Sequence, residues 1–219
     1  IEKLWDMMVR LSTPFGASGL ASYAISAVDC ALWDLKGKIL QRPVYELLGG
    51  PQKEKILCYA SGFDQGWYME LGFKATKLFC PYGPEHGMEG LRKLEEVVAN
   101  TRQQIGDNIE LMLDAWTAFD VEFTVRLAEV LKPYRLKWIE DYISPEDLGG
   151  YQSVRQRIPW QTLAAGEHWF LPTVFAPAAS QRLVDIFQPD VLWCGGITSA
   201  MKICHIAQAN GISVITHAG

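Results

Sequence analysis

The feature that most constrains the fold is the alternation of short apolar runs with longer amphipathic stretches from residue 55 onward. The apolar runs occupy residues 56–59, 75–79, 109–113, 136–139, 162–165, 184–188 and 213–216. The amphipathic stretches between them include residues 90–105, 121–131, 148–158, 174–183 and 197–210. A strand followed by a helix, repeated about seven times, predicts a parallel α/β sheet, and at this number of repeats a closed barrel.

The remaining regions of the chain are less regular. Residues 16–50 carry alanine and other apolar residues at helical spacing, and Gly49-Gly50-Pro51 ends the segment, which predicts a small helical unit. About a dozen residues separate the first strand run, ending near Gly62, from Gly72, too few for a barrel helix with its loops. The chain also stops just after a seventh strand. We therefore expect that stretches of the protein are absent between Gly62 and Gly72 and at both ends of the chain.

Charge and composition exclude several classes of function. The net charge of -5 and the pI near 5.4 give no electrostatic reason to expect binding to nucleic acid or to an anionic membrane. No apolar run approaches the roughly 20 residues of a spanning helix, and the first residues do not resemble a signal peptide. The five cysteines are scattered and form no CxxC pair, which favours free thiols in a cytoplasmic protein.

Acidic residues end three consecutive strand runs, at Asp114, Glu140 and Glu167. They are 26 and 27 residues apart, about the length of one strand–helix unit, so each step reaches the next strand at the same height. Three carboxylates at one rim would repel each other unless a cation neutralised them, and hard oxygen ligands suit Mg²⁺ best and Mn²⁺ next. Any one of these acids taken alone could equally be a solvated loop residue or a helix N-cap.

A second pair of polar residues, Asp190 and His217, follows two neighbouring strands and is separated by 27 residues. A carboxylate that accepts from one imidazole nitrogen fixes the tautomer, raises the basicity of the ring and leaves the other nitrogen facing the site. A lone histidine after a strand is more often structural. Paired with an acid one unit earlier and beside a predicted metal site, His217 is predicted to be a catalytic base.

These residues resemble the mandelate racemase branch of the enolase superfamily. The helical segment at residues 24–38, followed by Pro43 and residues 47–50, is similar to the family's motif at the entrance to its barrel domain. The resemblance implies a (β/α)7β TIM-like barrel with an α+β capping domain, most of which is missing from this chain. Residues 1–50 would be a remnant of the capping domain with the helical entrance, and residues 51–219 the barrel, lacking its last strand and some loops. In the family, the matching acids bind Mg²⁺ and the matching Asp–His pair is the catalytic dyad.

Within that branch the chain is most similar to the acid-sugar dehydratases, the L-rhamnonate dehydratases among them. This similarity is carried by residues 81–84, 90–93, 113–116, 145–147, 150–151, 166–168 and 188–190. It implies dehydration of an L-rhamnonate-like acid sugar to a 2-keto-3-deoxy acid, by removal of the proton next to the carboxylate and loss of the 3-hydroxyl. It also implies a homo-oligomer.

The chain departs from the racemase pattern at the end of the second strand. Mandelate racemase has Lys-x-Lys there, whereas this chain keeps Lys77 and has Phe79 in place of the second lysine. Racemisation by that route needs a base on each face of the substrate and is therefore disfavoured. After Glu140 the family usually has an acidic or amide residue and then proline; here Asp141-Tyr142 indicates a local change of the loop.

Two candidate site residues and two rival functions stay open on the sequence. Lys77 either neutralises a substrate carboxylate oxygen or pairs with a neighbouring metal ligand. His168 either contacts or helps expel a substrate hydroxyl, or is a hydrogen-bond donor behind the metal ligand. A racemase, epimerase or lactonising enzyme would need a second base on a missing segment. A non-catalytic barrel relative would be expected to have lost at least one residue of the acidic set or the dyad.

Overall fold

The computed structural model describes residues 1–51 and 53–218. Within them the α-helices are α1 (Glu2–Ser12), α2 (Leu20–Leu40), α3 (Val44–Leu47), α4 (Gln65–Glu70), α5 (Gly87–Ile105), α6 (Val121–Leu131), α7 (Leu148–Arg157), α8 (Pro172–Ser180) and α9 (Gly196–Asn210). The strands are β1 (Ala60–Ser61), β2 (Ala75–Phe79), β3 (Glu110–Asp114), β4 (Ile139–Glu140), β5 (Leu163–Ala165), β6 (Ile186–Phe187) and β7 (Ser213–Val214). Short 3₁₀ helices lie at Thr13–Phe15, Pro84–His86 and Lys132–Tyr134.

The chain forms two compact units. The first contains residues 1–56, 166–182 and those from Ile186 onward, and so holds α1–α3, α8, α9, β6 and β7. The second contains residues 57–165 and 183–185, and so holds β1–β5 with α4–α7. In the second unit parallel strands alternate with helices, as the sequence predicts, and α8, β6, α9 and β7 continue the alternation in the first unit.

The second unit is a parallel sheet in which each strand from β1 to β5 pairs with the next one along the chain. The interior of β3 is buried on both faces: Leu111, Met112 and Leu113 are almost inaccessible to solvent. Continuous apolar strands of this kind are typical of parallel sheets covered on both sides. Such strands have no polar face and therefore show no alternation of apolar and polar residues. A continuous apolar run is the sequence signal that identifies them.

Strand register places the ends of neighbouring strands of the second unit level with each other. Phe79 pairs with Asp114 between β2 and β3, and Asp114 pairs with Glu140 between β3 and β4. Side chains that point to the same face of a strand are two residues apart. Lys77 lies two residues before Phe79 and therefore on the same face of β2. From there its side chain contacts both Asp114 and Glu140.

Helix starts in the second unit are fixed by aspartate caps. The helices α4, α6 and α7 follow Asp64, Asp120 and Asp147, and each carboxylate accepts from the backbone N–H three residues later, at 3.2, 2.7 and 2.8 Å. A side-chain acceptor at this position satisfies one of the otherwise unpaired N–H groups of the first turn. Helix capping is therefore the role of these three aspartates. Asp114 and Glu140, for which an N-cap role was the alternative, lie within strands.

The first unit packs its N-terminal helices against its C-terminal ones. The helix α2 contacts α1 and α9, and α9 also contacts α8. Trp5, Ile25 and Leu171 form a buried apolar cluster within this packing. Strands β6 and β7 pair in parallel, and beyond their ends Asp190 and His217 form a further parallel bridge. The bridge brings the two side chains of the predicted dyad side by side.

The structure corrects the prediction for the segment around the first strand. The run at residues 56–59 is not a strand; β1 lies at Ala60–Ser61, and Ile56 and Leu57 are exposed. The interval judged too short for a helix contains the six-residue helix α4, and a short helix capped by Asp64 fits between β1 and β2. The absence of residues at this point of the chain stays a prediction.

Among residues 1–51 and 53–218, every helix is too short or too polar to cross a membrane.

Candidate functional site

A buried ammonium group joins two strand-end carboxylates in the second unit. The Lys77 Nζ lies 3.0 Å from Asp114 Oδ2 and donates a short hydrogen bond to Glu140 Oε1. The side chains of Lys77, Asp114 and Glu140 are only 4%, 5% and 1% exposed. The Trp138 indole N–H donates to the other oxygen of Glu140 at 2.8 Å. Both carboxylates are therefore held in place, and their negative charge converges on one cation.

The electrostatics of this cluster keep Lys77 charged. Burial by itself lowers the pKa of a lysine, because it disfavours the ammonium form. At Lys77 the negative charges of Glu140 and Asp114 outweigh that burial and raise its pKa above the ordinary value. Tyr59 adds to the same effect, with its ring centroid 5.7 Å from the ammonium nitrogen. Burial and the charge of Asp114 also raise the pKa of the neighbouring Cys80 thiol, so Cys80 stays protonated.

A second cluster, in the first unit, contains the predicted dyad. The Asp190 Oδ2 lies 2.8 Å from His217 Nδ1, and Asp190 Oδ1 accepts from the Leu192 backbone N–H at 2.6 Å. The other imidazole nitrogen, Nε2, is 3.5 Å from Glu167 Oε2. Asp190 is almost fully buried, whereas the His217 side chain is 18% exposed. Because a carboxylate on Nδ1 favours the Nδ1–H tautomer, Nε2 is the nitrogen that can accept a proton.

Glu167 stands between two histidines of the first unit. Its Oε1 lies 3.6 Å from His168 Nδ1, and its other oxygen, Oε2, is the one that lies near His217. Glu167 is 3% exposed, while the His168 side chain is 22% exposed. The preceding Gly166 has a φ of +144°, and a Cβ there would lie 2.8 Å from the Gln188 backbone nitrogen. This close approach of Gly166 to Gln188, which follows β6, fixes the backbone position from which the Glu167 side chain extends.

Each unit therefore brings together part of the predicted site. In the second unit Asp114 and Glu140 adjoin Lys77. In the first unit Glu167 and His168 adjoin the Asp190–His217 pair. All seven predicted site residues belong to one or the other cluster. The joint action of Asp114, Glu140 and Glu167 as one ligand set stays a prediction.

Two further residues of these clusters, Trp138 and Trp193, were not predicted, and neither was the burial of Asp141, which follows Glu140 in the chain. Trp138 donates to Glu140, and its position two residues earlier on the same run was the signal for a shared face. Asp141, interpreted from sequence as a loop change, is almost fully buried with a left-handed φ of +50°. Trp193 lies beside His217, with ring centroids 5.0 Å apart. Its place in a loop gave no periodic signal.

The donor chemistry of the acidic residues fits a hard divalent cation. Asp114 and Glu140 are buried carboxylates that already converge on a positive charge, and Glu167 is a third buried carboxylate at a strand end. Oxygen ligands without sulfur are those preferred by Mg²⁺ and Mn²⁺. The residues present therefore fit the predicted metal.

Family models match both parts of the chain. Residues 65–219 match the model described as "Enolase C-terminal domain-like". Residues 1–49 match the mandelate racemase / muconate lactonizing enzyme N-terminal domain. Together they cover most of the chain and agree with the resemblance found in the sequence.

Similar proteins include L-rhamnonate dehydratase from Saccharopolyspora erythraea, 44% identical over 218 residues, which cover 99% of this chain and 56% of the relative. A solved structure of rhamnonate dehydratase from Gibberella zeae complexed with Mg has a TM-score of 0.95 and 33% identity, over 100% of this chain and 54% of the other. A racemase from Streptomyces coelicolor with bound magnesium has a TM-score of 0.90 and 31% identity, over 100% of this chain and 62% of the other.

These comparisons confirm the predicted fold class, that of the enolase-like barrel proteins. The chain spans about half the length of the curated relatives it matches.

Proposed function

Because the chain belongs to the mandelate racemase / muconate lactonizing enzyme family of enolase-like proteins, we propose that it is part of a Mg²⁺-dependent acid-sugar dehydratase. The substrate is L-rhamnonate or a closely related aldonate, and the product is a 2-keto-3-deoxy acid. Identity of 44% to an L-rhamnonate dehydratase supports this choice of substrate class. The observation that carries the proposal is the Asp190–His217 pair beside Glu167. The pair supplies an oriented base next to a carboxylate that is suited to bind a metal ion.

Asp114, Glu140 and Glu167 are the residues that would hold the metal. Bound Mg²⁺, with Mn²⁺ as a substitute, supplies Lewis-acid stabilisation of the charge that develops on the substrate carboxylate. The Lys77 ammonium and the Trp138 indole N–H each donate to one oxygen of Glu140 and so hold its carboxylate in place.

His217 is the proposed base. Its Nε2 takes the proton from C2 of the sugar acid, while the hydrogen bond from Nδ1–H to Asp190 stabilises the imidazolium that results. Leu192 donates its backbone N–H to the second oxygen of Asp190, so the carboxylate cannot turn away from the ring. A base held in this way contributes about 10²–10⁴-fold to a proton transfer.

The same imidazolium can complete the dehydration. The electron pair left at C2 forms the C2=C3 bond as the 3-hydroxyl leaves, and the Nε2 proton passes to that hydroxyl, which departs as water. The resulting enol tautomerises to the 2-keto-3-deoxy acid: C3 takes one proton from solvent, and the C2 enol hydroxyl releases one to solvent. One residue that first takes and then returns a proton needs no partner base on the β2 strand.

Lys77 and His168 have supporting roles in this proposal. Lys77 neutralises carboxylate charge, either on the metal ligands that it already contacts or on the substrate. His168, directly after Glu167 and partly exposed, contacts a substrate hydroxyl or helps expel it; its alternative is a donor that only orients Glu167. Substituting each residue and measuring KM against kcat separates contact with substrate from support of the ligands.

A racemase, epimerase or lactonising enzyme of the same family is the second candidate, favoured by the similarity to the Streptomyces coelicolor racemase. It requires a second base. The position two residues after Lys77 is occupied by Phe79, which has no titratable group. A chiral assay combined with exchange of the C2 hydrogen distinguishes this reaction from dehydration, since only the former returns an isomer of the starting acid.

We also propose that the protein is a cytoplasmic homo-oligomer. The free thiols Cys30, Cys80, Cys194 and Cys204 support a reducing compartment. Light scattering of the purified protein measures the oligomeric state, and cell fractionation measures its location.

A panel of mono-acid and di-acid sugars, incubated with the protein at full natural length and Mg²⁺, tests the proposed function. We expect 2-keto-3-deoxy product from L-rhamnonate or a few relatives, and none after EDTA. Absence of product from every sugar, with the metal bound, would overturn the proposal.

A further inference from the structure

The loop between Asp190 and α9 carries an aromatic ring that touches both histidines of the first unit. The Trp193 indole centroid lies 5.0 Å from that of the His217 imidazole and 5.8 Å from that of His168. Interplanar angles of 44° and 46° show that the indole is tilted against both rings. The His217 ring is held at its edge by the hydrogen bond of Nδ1 to Asp190 and by the 3.5 Å contact of Nε2 with Glu167 Oε2. The indole adds a contact with the face of the ring, which the two polar contacts do not supply.

Trp193 is itself supported by the helix α2. The Tyr23 ring lies 5.7 Å from the indole, and it packs edge-on against Phe170 at the same distance. One turn along the same helix, Ser26 Oγ accepts from the Gly195 backbone N–H at 2.9 Å. Residues 23 and 26 are three positions apart and therefore lie on one face of the helix. This face contacts the loop both at the indole and two residues after it.

The next residue of this face, Asp29, anchors the start of α9. It is fully buried, and its carboxylate accepts from the Thr198 backbone N–H at 2.9 Å and from the Thr198 hydroxyl at 2.6 Å. The Trp33 indole N–H donates to the same hydroxyl at 2.9 Å. Gly196 has a φ of +87°, and a Cβ there would lie 2.5 Å from Asp29 Oδ2. The helix α2 therefore contacts the loop at Trp193 and Gly195, and the first turn of α9 at Thr198.

We propose that Trp193 is a positioning residue that fixes the rings of His217 and His168, and that Tyr23, Ser26 and Asp29 of α2 hold Trp193 in place. This inference rests on the proposed function for the role of His217 as the base. It gives a purpose to the polar residues of the helical segment at residues 24–38, which the dehydratase chemistry itself does not use.

The kinetic test compares Trp193→Ala with Trp193→Phe. Misplacement of a base by about 1 Å can cost about 100-fold in rate, so we expect kcat on L-rhamnonate to fall between 10- and 100-fold in Trp193→Ala. We expect KM and the Mg²⁺ dissociation constant to stay within about twofold, because the indole does not bind substrate or metal in this account. Trp193→Phe keeps an aromatic face, and its kcat should recover to within about threefold of the wild type.

Substitution on α2 gives the matched comparison. Tyr23→Leu removes the ring behind the indole and should lower kcat in the same direction as Trp193→Ala, to a smaller extent. Tyr45→Leu removes an exposed tyrosine of α3 and should leave kcat unchanged. A rise in KM with unchanged kcat in Trp193→Ala would make the indole a wall of the substrate site and would overturn the positioning role. Unchanged kinetics in Trp193→Ala would overturn it as well.

A spectroscopic measurement tests the same inference without turnover. The chain has four histidines, so ¹⁵N-histidine labelling of the protein gives a small set of imidazole signals. In Trp193→Ala we expect the His217 and His168 signals to move and broaden, while those of His86 and His205 stay in place. Four unchanged signals would contradict the inference. If the wild type dehydrates no acid sugar, the proposed function fails, and the imidazole signals still decide whether Trp193 holds the two rings.

Discussion

His217 is the residue on which the proposed chemistry depends most. Replacement by Asn keeps a polar side chain of similar reach but removes the basic nitrogen at Nε2. We expect kcat of His217→Asn to fall by about 10²–10⁴-fold, the usual contribution of a general base. Calorimetry should show Mg²⁺ binding retained, because the predicted ligands are unchanged. Undiminished turnover in this variant would exclude His217 as the base.

Lys77 provides a stability prediction at the same scale. In Lys77→Met two buried carboxylates lose their cation, and breaking a buried charge pair from one side costs about 3–5 kcal/mol. A lysine whose pKa is raised in the folded state stabilises the fold at every pH below its unfolded-state pKa, which is about 10.4. The contribution of Lys77 is therefore fully present at neutral pH. It is lost only as the pH rises through the folded-state pKa. Chemical denaturation in EDTA measures the difference.

The matched control is Lys137→Met. Lys137, two residues before β4, pairs with Glu110 of β3 at 3.1 Å, but both side chains are about half exposed. Exposed pairs contribute about 0–1 kcal/mol. Equal losses of stability in the two variants would show that burial of the Lys77 cluster has no energetic consequence.

Single residues were predictable where strand spacing determines their place. Asp190 and His217 lie one strand–helix unit apart at strand ends, and the structure joins them at 2.8 Å. Trp193 was not predictable, because the direction of its loop is set by α2. The bond between Ser26 and Gly195 spans 169 residues of sequence, and no local pattern contains such a contact.

Gly166 joins β5 to the segment that carries Glu167, so a substitution there tests how two secondary-structure elements are connected. Its φ of +144° disfavours any side chain, and a Cβ would also meet Gln188 backbone atoms at 2.8 and 3.1 Å. We expect Gly166→Ala to cost about 3 kcal/mol or more, from backbone strain together with overpacking. It should also weaken Mg²⁺ binding, because Glu167 moves with it. Thermal unfolding and calorimetry measure the two effects.

Gly106→Ala separates strain from crowding. Gly106 ends α5 with a φ of +74°, and nothing lies within 4 Å of its ideal Cβ position. Only the backbone conformation is penalised there, because a φ of +74° with a ψ of −178° is readily adopted by glycine alone; the cost is about 1–3 kcal/mol. A cost at Gly166 no greater than this would show that the close approach to Gln188 is easily relieved.

The elements themselves could be predicted where burial and periodicity agree. The strand β2 and the helix α6 occupy the residues expected from the sequence, because each has a fully buried apolar face. The first strand could not be located in this way. Residues 56–59 are apolar without being buried in a sheet, and an apolar run alone does not distinguish the two cases. The aspartate before α4 was a usable signal for the short helix.

At the scale of the whole molecule, metal binding should appear as added stability. A ligand that binds only the folded state at about 100 times its Kd adds about 2.7 kcal/mol. We expect the Tm of the protein to rise with Mg²⁺ and to fall back with EDTA. The rise should disappear in Asp114→Asn and persist in Asp107→Asn, since Asp107 is an exposed acid paired with Arg135. A Tm that does not respond to Mg²⁺ would contradict the proposed ligand set.

The family could be predicted from the sequence because its motifs lie in continuous segments such as residues 24–38 and 166–168. The ligand set as a whole could not be established in the same way. Its members belong to two units of the chain, and sequence spacing gives their height on the strands without their mutual distances. We keep as a proposal the division into a capping-domain remnant at residues 1–50 and a barrel at residues 51–219.

The most direct test of the central claim is the fate of L-rhamnonate incubated with the full-length protein and Mg²⁺ in D₂O, followed by mass spectrometry and NMR. Metal-assisted removal of the C2 proton with loss of the 3-hydroxyl predicts a 2-keto-3-deoxy acid with solvent deuterium at C3, and no product in EDTA. Recovery of the intact acid with deuterium at C2 and an inverted centre would contradict dehydration and identify an epimerase.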